Sequence, residues 1–293
     1  MMKVPVERSP GISELVEFDP AIVGLISSGS TFVQQLSDAF KLDKRVEDVW
    51  RYVIKVQHGK VTSPLSNAPG KHLKNSKFTD LYAKYAVGKK VILLLLESPH
   101  VDEYLYQNGV LNPIAPAQRD ASGGAGHAIR EYLGRVLDKL IPNLPDDEYS
   151  LVIANPVPYH CSLSWLGSAQ TNTGRIKPKA LNSAEGRSVR NHVWEQLWKL
   201  DFIQQDFLDR CVRYRPFVIL NCCTEELQDN VSRFLCQSGF GQSLFITKHP
   251  SMNWNTTYGN GGLGLPVRRI NCEDFLSSSN MSSCIFQLPG ESP

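Results

Sequence analysis

The stretch VILLLLESPH, residues 91–100, combines an apolar run with an abrupt polar end that contains a proline. The run is continuously apolar rather than alternating, which is typical of a strand covered on both faces of a parallel sheet. Later runs repeat this pattern and also end in polar residues. The sequence therefore predicts four buried strands, at Val91–Glu97, Ser150–Asn155, Pro216–Asn221 and Ser243–Lys248.

Helical patterns separate most of these runs. Apolar residues recur with helical spacing from Ile129 to Leu140, a second helix begins near Trp194, and Glu225 to Cys236 is a third candidate. Strands that alternate with helices predict an α/β fold, here an open four-stranded parallel sheet flanked by helices. Ligands of such sheets bind beyond the carboxyl ends of the strands, so functional residues are expected there.

The region before the first run differs in its pattern. Residues 1–88 are expected to form an N-terminal helical extension, and residues 89–293 the α/β domain. Phe32 and Phe40 fall on one helical face, and the apolar positions from Val46 to Val53 continue the same spacing. Two arrangements stay open for this extension, an independent domain or a layer packed on the α/β core.

Composition excludes several classes of protein. The chain has 293 residues, of which 42% are hydrophobic, so it can bury a core and is not globally disordered. A net charge of only +2 means that affinity for nucleic acid has to come from local basic patches. No apolar segment is long enough for a signal-peptide core or a membrane span. The seven cysteines are odd in number and form no CxxC pair, which favours a cytoplasmic protein with reduced thiols.

The polar residues at the strand ends have complementary chemistry. A carboxylate such as Glu97 can position water or balance a developing cation. The Asn155 amide presents a donor beside an acceptor, which suits the edge of a nucleobase. His249 can donate a hydrogen bond to a developing anion. Each residue also has a structural alternative, namely a turn cap for Glu97, a loop cap for Asn155 and a core histidine for His249.

These segments resemble the motifs of the uracil-DNA glycosylase superfamily. Residues 96–100 are similar to the Gly-Glu-Ala-Pro-Gly motif of its thermophile-type branch, residues 123–129 to the Gly-rich helix start, and residues 249–251 to the His-Pro-Ser motif. The resemblance covers roughly residues 89–272. It implies the fold of that family and a DNA glycosylase that hydrolyses the N-glycosidic bond of a flipped-out, damaged or modified pyrimidine, leaving an abasic site.

The resemblance also implies roles for individual residues. Glu97 would stabilise the sugar cation and position water, with Asp102 or Glu103 as a carboxylate able to substitute, and His249 would hydrogen-bond the departing base. Asn155 would read the base edge. Ser251 would contact a phosphate, and Met252 and Trp254 would wedge into the DNA, although Trp254 could equally pack under its loop. Further substrate contacts are expected from Ser98, Pro99, His100, Ile114 and Tyr159.

Departures from the family pattern bear on cofactor and substrate. The thermophile-type branch holds an iron–sulfur cluster with cysteines, some of them before the first motif. No cysteine precedes Cys161 here, so we expect no cluster, metal or organic cofactor. His100 stands where the classical uracil enzymes have a Tyr, and Ile114 where the family stacks a Phe on the base. A base other than uracil is therefore considered, and a hypermodified cytosine would imply antiviral defence.

A basic segment between the second and third runs is the expected DNA contact. Residues 168–190 are expected to form a long insertion in which Arg175, Lys177, Lys179, Arg187 and Arg190 outnumber the one acid. Such a segment can contact phosphates, and a solvated loop is the alternative. The expected partner is DNA, with no membrane and a monomeric protein. A catalytically inactive nucleic-acid-binding module, or a nucleotide or small-molecule hydrolase, are the alternative functions.

Overall fold

The structure is a computed structural model that describes residues 2–26, 32–62, 65–67, 89–107, 110–118, 124–140, 144–163, 183–251, 254 and 267–273. The helices are α1 (Pro20–Ile26), α2 (Phe32–Ala39), α3 (Ala125–Leu140), α4 (Ser183–Trp198), α5 (Asp201–Tyr214) and α6 (Glu225–Gln237). The strands are β1 (Met2–Ser9), β2 (Ile12–Phe18), β3 (Val49–Gln57), β4 (Lys60–Val61), β5 (Ser66–Asn67), β6 (Lys90–Leu95), β7 (Tyr104–Gln107), β8 (Val110–Pro113), β9 (Asp147–Ala154), β10 (Val218–Asn221), β11 (Leu244–Ile246) and β12 (Arg268–Arg269).

A mixed sheet forms the centre of the α/β fold. Its parallel part has the order β11-β10-β6-β9, and these are the strands expected from the four apolar runs. Antiparallel strands extend both edges, with β12 on β11 and with β3, β4 and β5 beyond β9. The sheet therefore has eight strands in the described residues, and the expectation of an open four-stranded parallel sheet is corrected.

The N-terminal region contributes strands as well as helices. Residues 2–18 form the antiparallel hairpin β1-β2, and β3 pairs with β9 in the central sheet. The helix around Leu36 is confirmed as α2, but the expectation of a helical extension is wrong for the region of β3. Its β-branched and aromatic residues suit a strand covered on both faces, and helical spacing cannot be distinguished from such a strand over so short a run. The central sheet thus includes residues on both sides of the expected boundary at residue 88.

Both faces of the sheet are covered, which explains the continuous apolar runs. In β6, Val91, Leu93 and Leu95 point into one core cluster, together with apolar residues of the β1-β2 hairpin, α4, α5 and α6. Ile92 and Leu94 point into the other cluster, which includes the apolar side of α3. Successive side chains of a strand face opposite sides, so a run buried on both sides has no polar alternation. Among the described helices, none has both the length and the apolar character that a membrane span requires.

The chain order of the parallel strands creates a crevice at their carboxyl ends. From β6 the chain passes through α3 to β9 on one side, and it later returns through α4 and α5 to β10 on the other side. The loops that follow β6 and β10 therefore leave the sheet in different directions. A switch point of this kind is where open α/β sheets bind ligands.

A disulfide joins Cys236 at the end of α6 to Cys272 after β12, with a Cα–Cα distance of 5.4 Å. The expectation of fully reduced thiols is wrong for this pair. The cysteines are 36 residues apart without a recognisable spacing motif, and the edge strand β12 brings them together. Cys161, Cys211, Cys222 and Cys223 are free and buried.

Gly241 packs so closely on this disulfide that a larger residue should disturb it. A Cβ atom at position 241 would overlap the Cys272 Sγ atom. We expect Gly241→Ala to lower the free energy of unfolding by about 1–3 kcal/mol. Denaturant unfolding with and without reductant measures this, and reduction should cost the wild type more than the variant. Gly24→Ala is the control because its Cβ would meet open space, and equal losses in both variants would contradict the placement of Gly241.

Candidate active site

A cavity of about 540 Å³ lies at the carboxyl ends of β6, β10 and β11. Its volume falls within the range of pockets that hold small molecules. The walls come from the turn after β6, the starts of α3 and α6, one face of α4 and the segment after β11. The residues that contribute polar side chains are Glu97, Ser98, His100, Asp102, Glu103, Ser162, Arg187, Arg190, Thr224, His249 and Ser251.

The turn after β6 is held from behind by buried side chains. The Trp194 indole N–H donates to the Glu97 carbonyl oxygen at 2.9 Å. The His160 Nδ1–H donates to the Pro99 carbonyl oxygen at 2.7 Å. Burial lowers the pKa of His160 to about 3, so its ring is neutral and keeps this donor role at neutral pH. Both anchors are distant in sequence, and together they fix the direction in which Glu97 and Ser98 face the cavity.

Glu97 is a buried carboxylate with partners on both oxygens. Arg190 of α4 lies 2.9 Å from Oε1, and the backbone N–H of Thr224 donates to Oε2 at 3.3 Å. Thr224 immediately precedes α6, so this N–H belongs to the positive end of a helix. The Arg190 guanidinium also donates to the Thr224 hydroxyl at 3.3 Å. The carboxylate is therefore fixed in place, and its charge is balanced by Arg190.

His249 is a neutral hydrogen-bond donor in this arrangement. Its Nδ1 accepts the backbone N–H of Ser251 at 3.3 Å and lies 2.8 Å from the Ser251 hydroxyl. Because a backbone N–H can only donate, Nδ1 carries no proton and the neutral ring carries it on Nε2. Burial lowers the pKa of His249, and the charge of Arg190 adds to this while that of Glu97 opposes it. At neutral pH the neutral imidazole of His249 can thus donate its Nε2–H to a ligand in the cavity.

A cationic wall faces these residues. Arg187 and Arg190 lie three residues apart on α4 and both line the cavity. The starts of α3, at Gly124 and Ala125, and of α6, at Thr224, also border it. Helix starts and guanidinium groups both favour anions, and a phosphate is the anion that suits this combination.

Glu103 is the second buried carboxyl of the cavity, and its environment differs from that of Glu97. Its Oε1 accepts the Ala117 N–H at 2.7 Å, and the Asn155 side chain and the backbone of His100 also act on the carboxyl as hydrogen-bond donors. Burial raises the pKa of Glu103 to about 8, although the Ala117 N–H and the charge of Arg51 oppose the rise. This carboxyl is consequently protonated at neutral pH. The sequence names Glu103 beside Asp102 as a carboxylate able to substitute for Glu97, but it does not indicate this protonation state.

The turn after β9 is held by a buried ion network. Arg210 of α5 donates to the carbonyl oxygens of Asn155 at 3.1 Å and Pro156 at 3.3 Å. The same guanidinium pairs with Asp48 at 2.7 Å and Asp206 at 2.9 Å. Burial acts to lower the pKa of Arg210, but these carboxylates outweigh it and raise the pKa. Nothing local in the sequence connects Arg210 with a turn 55 residues away.

Most of the expected catalytic and binding residues converge on the cavity. Glu97 and His249 lie in its wall with Asp102, whose Oδ2 is 3.3 Å from Nδ1 of His100. The structure also brings Ser98, Pro99, His100 and Ser251 there. The sequence analysis gives no role to Thr224, and it expects Arg187 and Arg190 only as phosphate contacts of a loop. The two arginines have the spacing i and i+3, which places them on the same side of a helix. The sequence analysis expected a loop here and so did not use this spacing, but α4 already begins at Ser183.

Other expected contacts lie away from the cavity. Tyr159 is buried and donates from its hydroxyl to the Glu7 carbonyl oxygen at 3.3 Å, and Ile114 packs against the core. Trp254 is fully buried with its N–H on the Lys248 carbonyl at 2.8 Å, so the expected DNA wedge is corrected to a core residue. Asn155 is fully buried and does not line the cavity. Met252, Arg175, Lys177 and Lys179 lie outside the described residues.

Three comparisons with known proteins gave no match to this chain. No protein-family model matches the chain, and comparisons with curated proteins and with solved structures gave no match. Within the described residues, no group of three or more His, Cys, Asp or Glu side chains is placed to hold a metal ion. The function is therefore argued from the cavity and its side chains.

Proposed function

We propose that the protein is a DNA glycosylase that hydrolyses the N-glycosidic bond of a flipped-out, damaged or modified pyrimidine. One observation carries the proposal. A fixed carboxylate, Glu97, and a neutral imidazole donor, His249, share a cavity with the cationic wall formed by Arg187 and Arg190. The reaction needs this combination of charges, because positive charge develops on the sugar and negative charge on the base.

The proposed reaction assigns each group a defined task. The electron pair of the bond between C1′ and the base nitrogen moves to the base as that bond breaks. Glu97 stabilises the cationic sugar and accepts a proton from the water whose oxygen bonds to C1′. The Nε2–H of His249 donates to the departing base oxygen. Glu97 then releases its proton to solvent, solvent protonates the base, and an abasic site remains.

The cationic wall supports binding of a nucleotide that has left the DNA stack. Extrusion of a base costs a few kcal/mol, which contacts to the neighbouring phosphates have to offset. Arg187 and Ser251 line the cavity with exposed polar ends that can reach a phosphate. Arg190 can also do so, since a phosphate that pairs with it releases the Glu97 carboxylate from its salt bridge. Substrate binding would thereby uncover the negative charge that the reaction uses.

The same salt bridge favours a second candidate, a catalytically inactive nucleic-acid-binding module. Arg190 balances the charge of Glu97, and the Thr224 N–H donates to its other oxygen. If this pairing persists when DNA is bound, Glu97 is a structural anchor and the cavity holds a nucleotide without cleaving it. Binding of DNA without release of a base is the result that this candidate requires.

Abasic-site formation on a panel of DNAs tests the proposed function. The panel contains uracil, hydroxymethylcytosine, glucosylated hydroxymethylcytosine and the ordinary bases, and alkaline strand cleavage reports each abasic site. Release of one base establishes a glycosylase and identifies its substrate. Attack confined to glucosylated DNA supports a role in antiviral defence, and attack on uracil supports repair. Retained binding with no release from any DNA contradicts the glycosylase and favours the binding module.

Loss of a cavity arginine should weaken DNA binding in a salt-dependent way. We expect Arg187→Gln to reduce the slope of log K against log salt concentration by about 0.7–0.9, because one phosphate contact is lost. Fluorescence anisotropy with a labelled oligonucleotide at several salt concentrations measures the slope. Arg213→Gln is the matched control, since Arg213 is exposed on α5 and does not line the cavity. Identical slopes for the wild type and both variants would exclude Arg187 as a phosphate contact.

A further inference from the structure

A side chain behind the cavity joins the ends of two neighbouring strands. The Nε2 amide of Gln228, on α6, donates to the carbonyl oxygens of Asn221 at 2.9 Å and of Thr247 at 2.8 Å. It also donates to the carbonyl oxygen of Cys223 at 3.3 Å. Asn221 is the last residue of β10, and Thr247 is the first residue after β11. One amide group therefore bridges these two strands at their carboxyl ends, where the cavity lies.

Asn221, Gln228 and Ser232 form a polar cluster that also fixes α6 against β10. The Asn221 Nδ2 amide donates to the Gln228 carbonyl oxygen and to the Ser232 hydroxyl, both at 3.0 Å. The Asn221 Oδ1 atom accepts the N–H of Cys223 at 3.1 Å. Asn221 and Ser232 are fully buried, and a buried polar network whose members are paired is rigid. The first turns of α6 are thus held to the end of β10 by side chains.

Both strand ends lead directly into the candidate active site. Thr224, at the start of α6, donates its N–H to Glu97 Oε2 at 3.3 Å. His249 follows two residues after Thr247. Thr224, His249 and Glu97 all line the cavity, whereas Gln228 does not. Gln228 therefore contacts the two segments that carry cavity groups, although it does not face the cavity itself.

Backbone pairing between β10 and β11 ends just before the cavity. Among the described residues, the last backbone hydrogen bond between these strands runs from the Thr247 N–H to the Asn221 carbonyl oxygen at 3.1 Å. The next peptide group along the chain contains the Thr247 carbonyl, which accepts the Gln228 amide. Gln228 thus holds the peptide group through which the chain continues to His249.

We propose that Gln228 is a positioning residue that sets the place of the His249 imidazole relative to the Glu97 carboxylate. This inference rests on the proposed function and adds a residue that acts from outside the cavity. Gln228 holds the His249 segment through Thr247, and it holds the Thr224 partner of Glu97 through the start of its own helix. The proposed reaction needs both groups in place at once, and a displacement of about 1 Å can cost about 100-fold in rate.

The turnover of base release tests this role. Gln228→Leu keeps most of the bulk of the side chain but removes its donor, and we expect kcat to fall by about 10–100-fold. The Kd for DNA should not change, because the cationic wall of Arg187 and Arg190 is untouched. Ser232→Ala is the matched control, since Ser232 belongs to the same cluster but bonds to the end of β10 rather than of β11. Its kcat should equal that of the wild type. An equal loss in both variants, or no loss in Gln228→Leu, overturns the inference and leaves the glycosylase intact.

A second variant separates a missing donor from a poorly folded protein. In Gln228→Glu the side chain keeps its shape, and only the protonated carboxyl can donate to the Thr247 carbonyl oxygen. Burial favours the protonated form of a carboxyl, so protonation should restore the donor as the pH is lowered from 8 to 5. The kcat of this variant, divided by the wild-type kcat at the same pH, should therefore rise. A ratio that is equal at both pH values overturns the positioning role.

A spectroscopic readout keeps the inference testable if no DNA releases a base. The ¹⁵N signals of the His249 ring report its hydrogen bonds, including that of Nδ1 with Ser251, and they are assigned by their loss in His249→Gln. We expect Gln228→Leu to shift these signals and Ser232→Ala to leave them in place. A shift in Gln228→Leu without base release from any DNA contradicts the glycosylase and supports the positioning role. Unshifted signals in Gln228→Leu overturn the positioning role, whether or not a base is released.

Discussion

If the protein is the proposed glycosylase, we expect replacement of Glu97 by glutamine to lower the single-turnover rate of base release by about 100-fold or more. Glutamine keeps the size and shape of the side chain but removes the negative charge that the proposed reaction uses to stabilise the sugar cation and to accept the proton of water. DNA binding should persist, because the cationic wall of Arg187 and Arg190 is intact. Rapid-quench measurement of abasic sites gives the rate, and His249→Ala should show a loss of similar size through its missing donor.

The control for this prediction is Glu131→Gln, the same chemical change on an exposed position of α3 outside the cavity. Its rate should equal that of the wild type. Wild-type rates in both Glu97→Gln and His249→Ala would contradict the assignment of the reaction to these residues. If Glu97→Gln instead lowers stability without altering the rate of the folded protein, Glu97 serves as an anchor for Arg190 and Thr224.

Replacement of Arg210 by methionine lowers the free energy of unfolding by about 3–5 kcal/mol. The change leaves the buried Asp48 without its cation and removes the donor from the Asn155 and Pro156 carbonyls. Asp48 then keeps the hydrogen bond from the Tyr214 hydroxyl at 2.8 Å, whereas Asp206 keeps its salt bridge with Arg45. Urea unfolding followed by circular dichroism measures the difference. Arg213→Met, on the exposed side of the same helix, is the control and should change stability by less than about 0.5 kcal/mol.

The pH dependence of the Arg210→Met effect identifies its cause. Burial raises the pKa of Asp48, and Arg210 opposes that rise in the wild type. Without Arg210 the folded-state pKa rises further above the unfolded value, so protonation relieves the buried charge as pH falls. The stability gap between wild type and variant should therefore narrow from pH 7 to pH 5. A gap below about 1 kcal/mol, or one that does not change with pH, would show that the charge of Asp48 is not its source.

Local sequence patterns identified the parallel strands and the helices between them. The runs ending at Glu97, Asn155 and Asn221 contain the ends of β6, β9 and β10, and the pattern from Ile129 to Leu140 lies within α3. These predictions succeeded because burial on both faces leaves a continuous apolar run, and turns after strands require polar residues and prolines. The convergence of Glu97 and His249 followed from the parallel direction of the strands.

Local patterns do not predict which distant segments of the chain pair with each other. The short apolar run of β3 fits a helix or a strand equally well, and only its pairing with β9 decides between them. The disulfide between Cys236 and Cys272 likewise depends on the placement of an edge strand. Arg187 and Arg190 lie one helical turn apart because α4 begins at Ser183, within a segment whose composition favours a loop.

The two carboxyls of the cavity, Glu97 and Glu103, differ in their charge and in their partners. Both are glutamates near the end of β6, and the motif pointed to Glu97 as the functional one. Nothing in their local sequence indicates that Glu97 pairs with an arginine from α4 while Glu103 is buried and protonated. Residue type and strand-end position follow from the chain itself, since they reflect local burial and turn chemistry. Protonation and pairing follow only from the folded protein, because they depend on desolvation and on charges brought from distant elements.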